Sequence, residues 1–203
     1  MPRQVDHDER RRLIGEAVLR VAAERGLEAA SMREVATEAG VSVGLVQHYF
    51  ASKDALVLFA TGLLRERFER RVASAAAPST QFDGIRAVLL AFLPLDGAGR
   101  LEALSGMAVF IRALNDPGLA GRYRYGRERI VAAVTERLDT AVAAGEARED
   151  LDTELEAHAL LAVVGGLVPD LLFGHLSSER ALRIVDHRLG ALSAGPDVSM
   201  AAR

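Results

Sequence analysis

Apolar residues recur along most of the chain at the three- and four-residue spacing of amphipathic helices, and the alternation typical of strands is nearly absent. The first pattern covers residues 8–25, where Ile14, Val18 and Val21 share one face and Gly26 marks the end. The remaining helical patterns cover residues 31–40, 43–49, 52–75, 81–94, 101–115, 117–144, 153–173 and 178–192. We therefore predict an all-α fold of about nine helices.

Short polar residues mark several of the predicted helix starts. Residues 31–34 (SMRE) form the pattern of a capping box, which predicts a short second helix that ends at Gly40. A serine or aspartate that can cap a helix in the same way precedes four later helices: Ser42, Ser52, Asp116, and Ser177 or Ser178. Pro117 follows Asp116 at a first helical position, where proline is favoured.

The longest apolar run covers residues 159–174 (ALLAVVGGLVPDLLFG). It is short for a bilayer span, and two glycines, Pro169 and Asp170 interrupt it, so we expect a buried helix. Pro169 is expected to kink this helix because proline removes a backbone donor and clashes with the preceding turn. The polar N-terminus shows no apolar signal-peptide core, and a cytoplasmic protein is expected.

The second and third predicted helices are short and meet at a tight turn, which is the arrangement of a helix-turn-helix. Ala36 is small enough for the point where the helices cross, and Gly40 tolerates the positive φ that the turn needs. Val46 is suited to anchor the third helix in the core. The third helix is then expected to be the recognition helix that enters the major groove of DNA.

The first residues of this helix, together with Gln47 one turn later, are expected to face base edges. Gln47 can form two hydrogen bonds with adenine, and Val43 can contact a thymine methyl group. Val43 and Leu45 fit ordinary core packing as well. His48 and Tyr49 are candidates for phosphate contacts. The predicted DNA-binding residues are Ser31, Arg33, Ser42, Val43, Gly44, Gln47, His48, Tyr49 and Lys53.

Lys53 is the chain's only lysine, and it follows Ser52 at the predicted start of a long helix. Both its charge and the free N–H groups of a helix start favour an anion such as phosphate. Residues 1–75 contain 12 Arg/Lys and 11 Asp/Glu, whereas the remainder contains 13 and 17. The relatively basic N-terminal part favours a polyanionic partner.

The composition excludes several other kinds of site. The 203 residues include no cysteine, which excludes disulfides and cysteine-based metal or redox sites. No HExxH motif and no GxSxG nucleophile elbow is present, because residues 40–44 (GVSVG) fit the letters but lie between two predicted helices. The glycines of residues 96–100 (DGAGR) likewise follow no predicted strand. Glu154 and His158 are four residues apart and could hold a metal, but a solvated helix face fits them better. We expect no enzyme, metal or cofactor; a helical adaptor without DNA binding is the alternative.

Residues 31–60 (SMREVATEAGVSVGLVQHYFASKDALVLFA) resemble the DNA-binding region of TetR-family transcriptional regulators. The shared features are a G-V-S-x-G stretch, an aromatic pair, and S-K before a long fourth helix. The segment GLVQHYF is similar to the BetI-like branch, and residues 115–167 resemble the C-terminal domain of that branch. The resemblance is specific over 31–59 and looser over 81–192. Many family members have Tyr in place of Gln47 and His in place of Tyr49.

The resemblance implies a helix-turn-helix domain over residues 1–52, a helical effector-binding and dimerisation domain over 53–192, and a flexible tail over 193–203. It also implies a repressor that binds a near-palindromic DNA operator as a homodimer and is released by a small-molecule effector. The effector's identity is open.

Residues of helices four to nine supply the candidates for both functions of the second domain. For the apolar ones, ordinary core packing is the alternative. The predicted effector pocket comprises Phe59, Leu63, Leu89, Phe92, Met107, Phe110, Ile111, Arg112, Tyr123, Val164 and Asp170. The predicted dimer interface comprises Leu160, Leu167, Leu171, Leu182, Val185 and Leu189.

Overall fold

The computed structural model describes residues 2–75 and 78–194, with side chains from residue 7 onward. The described residues form nine α-helices: α1 (Pro2–Arg25), α2 (Met32–Ala39), α3 (Val43–Tyr49), α4 (Lys53–Ser74), α5 (Gln81–Leu90), α6 (Gly97–Ala113), α7 (Pro117–Ala143), α8 (Thr153–Phe173) and α9 (Ser178–Gly190). A short 3-10 helix, Leu27–Ala29, follows α1. The predicted all-α fold is confirmed. The predicted tail lies outside the described residues from residue 195 onward.

The chain forms two compact units. The first comprises Met1–Arg70 with Asp96–Tyr123, and the second comprises Arg71–Leu95 with Arg124–Arg203. The first unit therefore contains α6 and the start of α7 in addition to the four N-terminal helices. The predicted functional boundary after residue 52 remains a prediction, because compactness and function need not divide a chain at the same place.

The core of the first unit is built around α1, which packs against α2 and α6. Ile14, Val18 and Val46 are completely buried there. Ser105 of α6 is also completely buried, and its hydroxyl oxygen lies 2.8 Å from the main-chain oxygen of Leu19. The Leu101 carbonyl oxygen of the same helix lies 2.7 Å from this hydroxyl oxygen, so one hydroxyl proton serves two carbonyl acceptors, one in α6 and one in α1, inside an otherwise apolar core.

The second unit packs α5, α8 and α9 together. Ile85 and Leu160 are buried in its core. At the surface, the guanidinium of Arg86 donates two hydrogen bonds, of 2.6 and 3.2 Å, to the carboxylate of Asp186 and joins α5 to α9.

The helix α8 is long and apolar enough, by length and composition alone, to cross a membrane. Only 28% of its most apolar 18-residue window is buried within the chain. The buried face contains Leu160, Val164 and Leu167, whereas Gly165 and Gly166 are exposed. The prediction of a buried helix is therefore correct for one face only. The helix α8 continues through Pro169 to Phe173.

Two predicted helix starts and one predicted cap differ from the structure. The first helix begins at Pro2 rather than residue 8. The helix α6 begins at Gly97 rather than 101, because Asp96 caps it by accepting a 2.6 Å hydrogen bond from the Gly99 N–H. The predicted capping box of α2 is half formed. Ser31 accepts from the Glu34 N–H at 3.1 Å, but the Glu34 carboxylate binds Arg25 instead.

Candidate nucleic-acid interface

The helices α2 and α3 form a helix-turn-helix with the predicted residues at its turn. Gly40 ends α2 with φ of 66°, in the left-handed region that favours glycine. The Val41 N–H then bonds the Ala36 carbonyl oxygen at 2.9 Å, which closes the turn. Ala36 is 1% exposed where the helices meet, and Val46 of α3 is completely buried. The chain thus holds α3 against the core by one face and leaves the opposite face free.

The free face of α3 is polar. Its N-cap, Ser42, accepts a 3.2 Å hydrogen bond from the Leu45 N–H. Ser42, Gly44, Gln47 and His48 are exposed. A Cβ atom at Gly44 would meet only the Ser42 hydroxyl, at 3.9 Å, so the backbone there is open to a partner. This face offers hydroxyl, amide and imidazole groups of the kind that bind DNA bases and phosphates.

Two half-buried residues of α3 also contact the core. Val43 and Tyr49 pack against the core of the first unit. The Tyr49 ring makes edge contacts with the His48 ring, at 5.2 Å between centroids, and with the His7 ring of α1, at 4.7 Å. His7 was not among the predicted site residues, because the sequence pattern started α1 one residue after it.

Lys53 is the first residue of α4. Its ammonium donates a 3.0 Å hydrogen bond to the main-chain oxygen of Glu28 and lies 3.6 Å from that residue's carboxylate. Ser52 caps the helix, as predicted, by accepting from the Ala55 N–H at 3.1 Å. The helix start that favours an anion is therefore present, while the Lys53 side chain has a protein partner.

The Glu28 carboxylate also accepts a 2.8 Å hydrogen bond from Arg112 of α6. This hydrogen bond, and then the positive charge of Lys53, hold the pKa of Glu28 below its ordinary value. Ser31 and Arg33, the two candidates on the second helix, are both exposed, Ser31 at the N-cap and Arg33 in the first turn.

Two family models match the chain. The model described as bacterial regulatory proteins of the tetR family covers residues 14–59, the helix-turn-helix and its neighbours. The model described as the C-terminal part of BetI-type transcriptional repressors covers residues 83–194. The chain belongs to the TetR family of transcriptional regulators.

Individual relatives agree with this assignment. The regulator PksA of Bacillus subtilis is 30% identical, over 91% of this chain and 90% of its own. A transcriptional regulator from Rhodococcus sp. Rha1 has a solved structure that is 31% identical, with a TM-score of 0.78 over 91% of this chain and 97% of its own. A regulator from Saccharomonospora viridis, solved with choline, has a TM-score of 0.82 at 23% identity and covers 92% of this chain and 98% of its own.

The members of this family are DNA-binding regulators rather than enzymes. The pairing of Glu154 with His158 therefore does not mark a catalytic metal site, and both side chains are exposed on α8. Family membership likewise removes the alternative of an adaptor without DNA binding.

The predicted effector residues of this TetR-family chain differ in burial and in their contacts. Leu63, Leu89 and Val164 are at most 2% exposed and belong to the cores of their units. Phe59 and Phe92 are half-buried, Arg112 belongs to the ion-pair group around Glu28, and Asp170 is exposed 3.9 Å from His175. Met107, Phe110, Ile111 and Tyr123 are exposed in the first unit, where the Phe110 and Tyr123 rings lie 5.3 Å apart.

Most of the predicted interface residues lie inside the second unit. Leu160, Leu167, Val185 and Leu189 are at most 7% exposed within a single chain. Leu171 and Leu182 are half-buried. The sequence pattern identified the apolar helices, but it did not separate the face that packs inside the chain from the face that remains exposed.

Proposed function

We propose that the chain is a cytoplasmic repressor that binds a near-palindromic operator as a homodimer, inserts α3 into the major groove, and is released by a small-molecule effector. The observation that carries this proposal is the polar, exposed face of α3, opposite the buried Val46. A recognition helix needs both features, because one face must be fixed while the other reaches the DNA.

The residues of this surface divide into two roles. Gln47 and the N-terminal residues of α3 read base edges, and Gln47 favours adenine. His48, Tyr49 and Lys53 bind phosphates, together with the free N–H groups at the start of α4. Phosphate contacts contribute affinity for any sequence, whereas base contacts decide which sequence is bound.

The second unit supplies the dimer interface in this proposal. Leu155, Ala162, Gly166 and Phe173 are all exposed, and their spacing puts them on one stripe of α8. Leu155 is 64% and Phe173 is 76% exposed. A large apolar stripe with small residues at its centre favours close packing against a second copy of the helix. We therefore assign the interface to this stripe rather than to the buried leucines.

The effector acts through the helices that follow the DNA-binding region. Exposed apolar side chains of α6, Met107, Phe110 and Ile111, and the aromatic contact of Phe110 with Tyr123 support a binding surface for an apolar or aromatic molecule. Effector binding favours a conformer with altered spacing of the two recognition helices. A coupling free energy of roughly 1–3 kcal/mol changes operator affinity about 5- to 150-fold.

A mobility-shift titration on the gene's own upstream DNA tests this function. We expect specific binding that is lost with competitor DNA of the same sequence but not with unrelated DNA. Equal competition by both DNAs at moderate salt contradicts a sequence-specific regulator.

A further inference from the structure

A cavity of about 280 Å³ lies in the first unit, between the start of α4 and the turn that joins α6 to α7. Its apolar lining consists of Leu27, Val57, Leu58 and Leu119. Among the predicted effector residues, Arg112 alone lines this cavity, so it is a different place from the exposed apolar surface of α6. Ligand pockets typically have roughly 300–1,000 Å³, and this volume lies just below that range, so it suits only a small molecule.

Three cationic side chains line the same cavity: Lys53, Arg112 and Arg122. The side chains of Lys53 and Arg112 are 32% and 31% exposed, whereas their partner Glu28 is 75% exposed. Asp54, which lies 3.7 Å from Arg112, is 81% exposed. Lys53 and Arg112 are thus less accessible than Glu28 and Asp54, and water competes strongly with these ion pairs. Asp116, 3.6 Å from Arg112 and 26% exposed, is the less accessible partner of Arg112.

Arg122 has no ion pair among the residues that the structure describes. It follows Leu119 by three residues on α7, so the two side chains lie on the same face of that helix. An unpaired guanidinium beside apolar side chains provides two parallel N–H donors for a carboxylate and a surface for an apolar group. The lining carries three positive charges against two from Asp54 and Asp116, and Glu28 balances the third through its ion pairs with Lys53 and Arg112. An anion is therefore favoured where it takes the place of one of these carboxylates.

We propose that this cavity binds a small amphipathic carboxylate. The carboxylate accepts hydrogen bonds from Arg122 and takes the place of Glu28 or Asp54 on Arg112. The apolar body covers Leu119 and the apolar side chains of α4. Replacement of an exposed, solvent-screened carboxylate by one that also buries apolar surface gives a net gain.

The consequence for DNA rests on the proposed function. Glu28 binds both Arg112 and Lys53 in the free protein. When a ligand takes the place of Glu28 on Arg112, Glu28 pairs with Lys53 alone. Its charge is then no longer shared with Arg112, so Lys53 is held more strongly and is less available to a phosphate. Ligand binding then lowers operator affinity, and by linkage DNA lowers ligand affinity by the same factor.

The test uses the full chain and measures binding of butyrate, hexanoate and hexanamide by calorimetry, without DNA. Each added methylene is expected to tighten binding about fourfold, so hexanoate binds about 15-fold more tightly than butyrate. Hexanamide, which lacks the charge, is expected to bind at least about tenfold more weakly than hexanoate. Arg122→Gln is expected to weaken hexanoate binding about fivefold. The control is Arg124→Gln, which makes the same change at an exposed arginine of the same helix outside the cavity and should leave hexanoate binding unchanged.

Three results overturn the proposal: no heat of hexanoate binding at millimolar concentrations, equal affinities for hexanoate and hexanamide, or equal effects of Arg122→Gln and Arg124→Gln. Inorganic phosphate that binds as tightly as hexanoate also overturns it, because the apolar lining then plays no part. A parallel mobility-shift assay without ligand distinguishes failure of this ligand site from failure of the proposed DNA-binding function. A chain that binds its upstream DNA but not hexanoate keeps the regulatory function and loses this site.

Discussion

The Lys53 ammonium lies 3.0 Å from the main-chain oxygen of Glu28, a residue 25 positions earlier in the chain. This hydrogen bond ties the first residue of α4 to the 3-10 helix that follows α1. The same ammonium is the proposed phosphate contact, so DNA must compete with Glu28 for it. We therefore expect Glu28 to lower the affinity of the free protein for any DNA sequence.

Removal of the Glu28 charge is expected to strengthen DNA binding for all sequences. Glu28→Gln should raise affinity about threefold, and Lys53→Ala should lower affinity and reduce the slope of log K against log salt by about one. Glu24→Gln is the control, because it removes one exposed negative charge from the neighbouring helix. Fluorescence anisotropy at four salt concentrations measures both quantities. An unchanged salt slope for Lys53→Ala would show that Lys53 makes no phosphate contact.

The turn between α2 and α3 should need glycine at position 40 because of its backbone conformation, and not because a side chain there would clash with a neighbour. A Cβ atom at Gly40 would meet nothing within 4 Å, yet φ is 66°. Gly40→Ala should therefore lower the free energy of unfolding by about 1–2 kcal/mol. Gly62→Ala, in the middle of α4 and equally open, should raise it by up to about 1 kcal/mol. Urea unfolding measures both variants, and changes of the same sign would refute this explanation.

The capping box of α5 should contribute to stability in a pH-dependent manner. The Asp83 carboxylate accepts hydrogen bonds from the Ser79 hydroxyl, at 2.6 Å, and from the Thr80 N–H, at 3.1 Å. These bonds, that from Ser79 foremost, hold the pKa of Asp83 below its ordinary value of 3.8. A lowered pKa stabilises the fold above that ordinary value, and the stabilisation is lost as the pH falls through the folded-state pKa.

Thermal unfolding between pH 2.5 and 6 measures this contribution. The difference in melting temperature between the natural chain and Asp83→Asn should be largest above about pH 4 and shrink below it. A difference that stays constant over the whole range would mean that Asp83 acts through its shape rather than its charge.

Much of the fold could be predicted because its signals are local. Gly26, Gly40 and Gly145 end helices with φ between 66° and 80°, and each was readable as a stop. The prediction missed the helix cap at Asp96. Its glycine-rich sequence gives a weak helical pattern, so the side-chain cap that starts α6 was overlooked.

The candidate site was less predictable, because its contacts join residues that are distant in sequence. Lys53 was identified by its place at a helix start, but its contact with Glu28 depends on how α1 and α4 pack. The leucines of α8 show the same limit. Apolar character alone does not distinguish Leu160 from Leu155, although one is 1% and the other 64% exposed.

Dimerisation should depend on the exposed stripe of α8. Phe173→Asp is expected to give a monomer, because it places a charge on an apolar surface that a second chain would bury. Leu114→Asp, the same kind of change at an apolar residue that is 68% exposed in the first unit, should leave the dimer intact. Sedimentation velocity at micromolar concentration distinguishes the two. A Phe173→Asp chain that sediments as a dimer would place the interface elsewhere.

The central claim, sequence-specific DNA binding through α3, is tested most directly by selection of bound fragments from genomic DNA with the natural chain and with Gln47→Ala. The natural chain should enrich a near-palindrome whose half-sites are roughly 10 base pairs apart, centre to centre. Gln47→Ala should keep this spacing and lose the preference at one position in each half-site. Fragments without a shared motif, or a motif that Gln47→Ala leaves unchanged, would contradict the account.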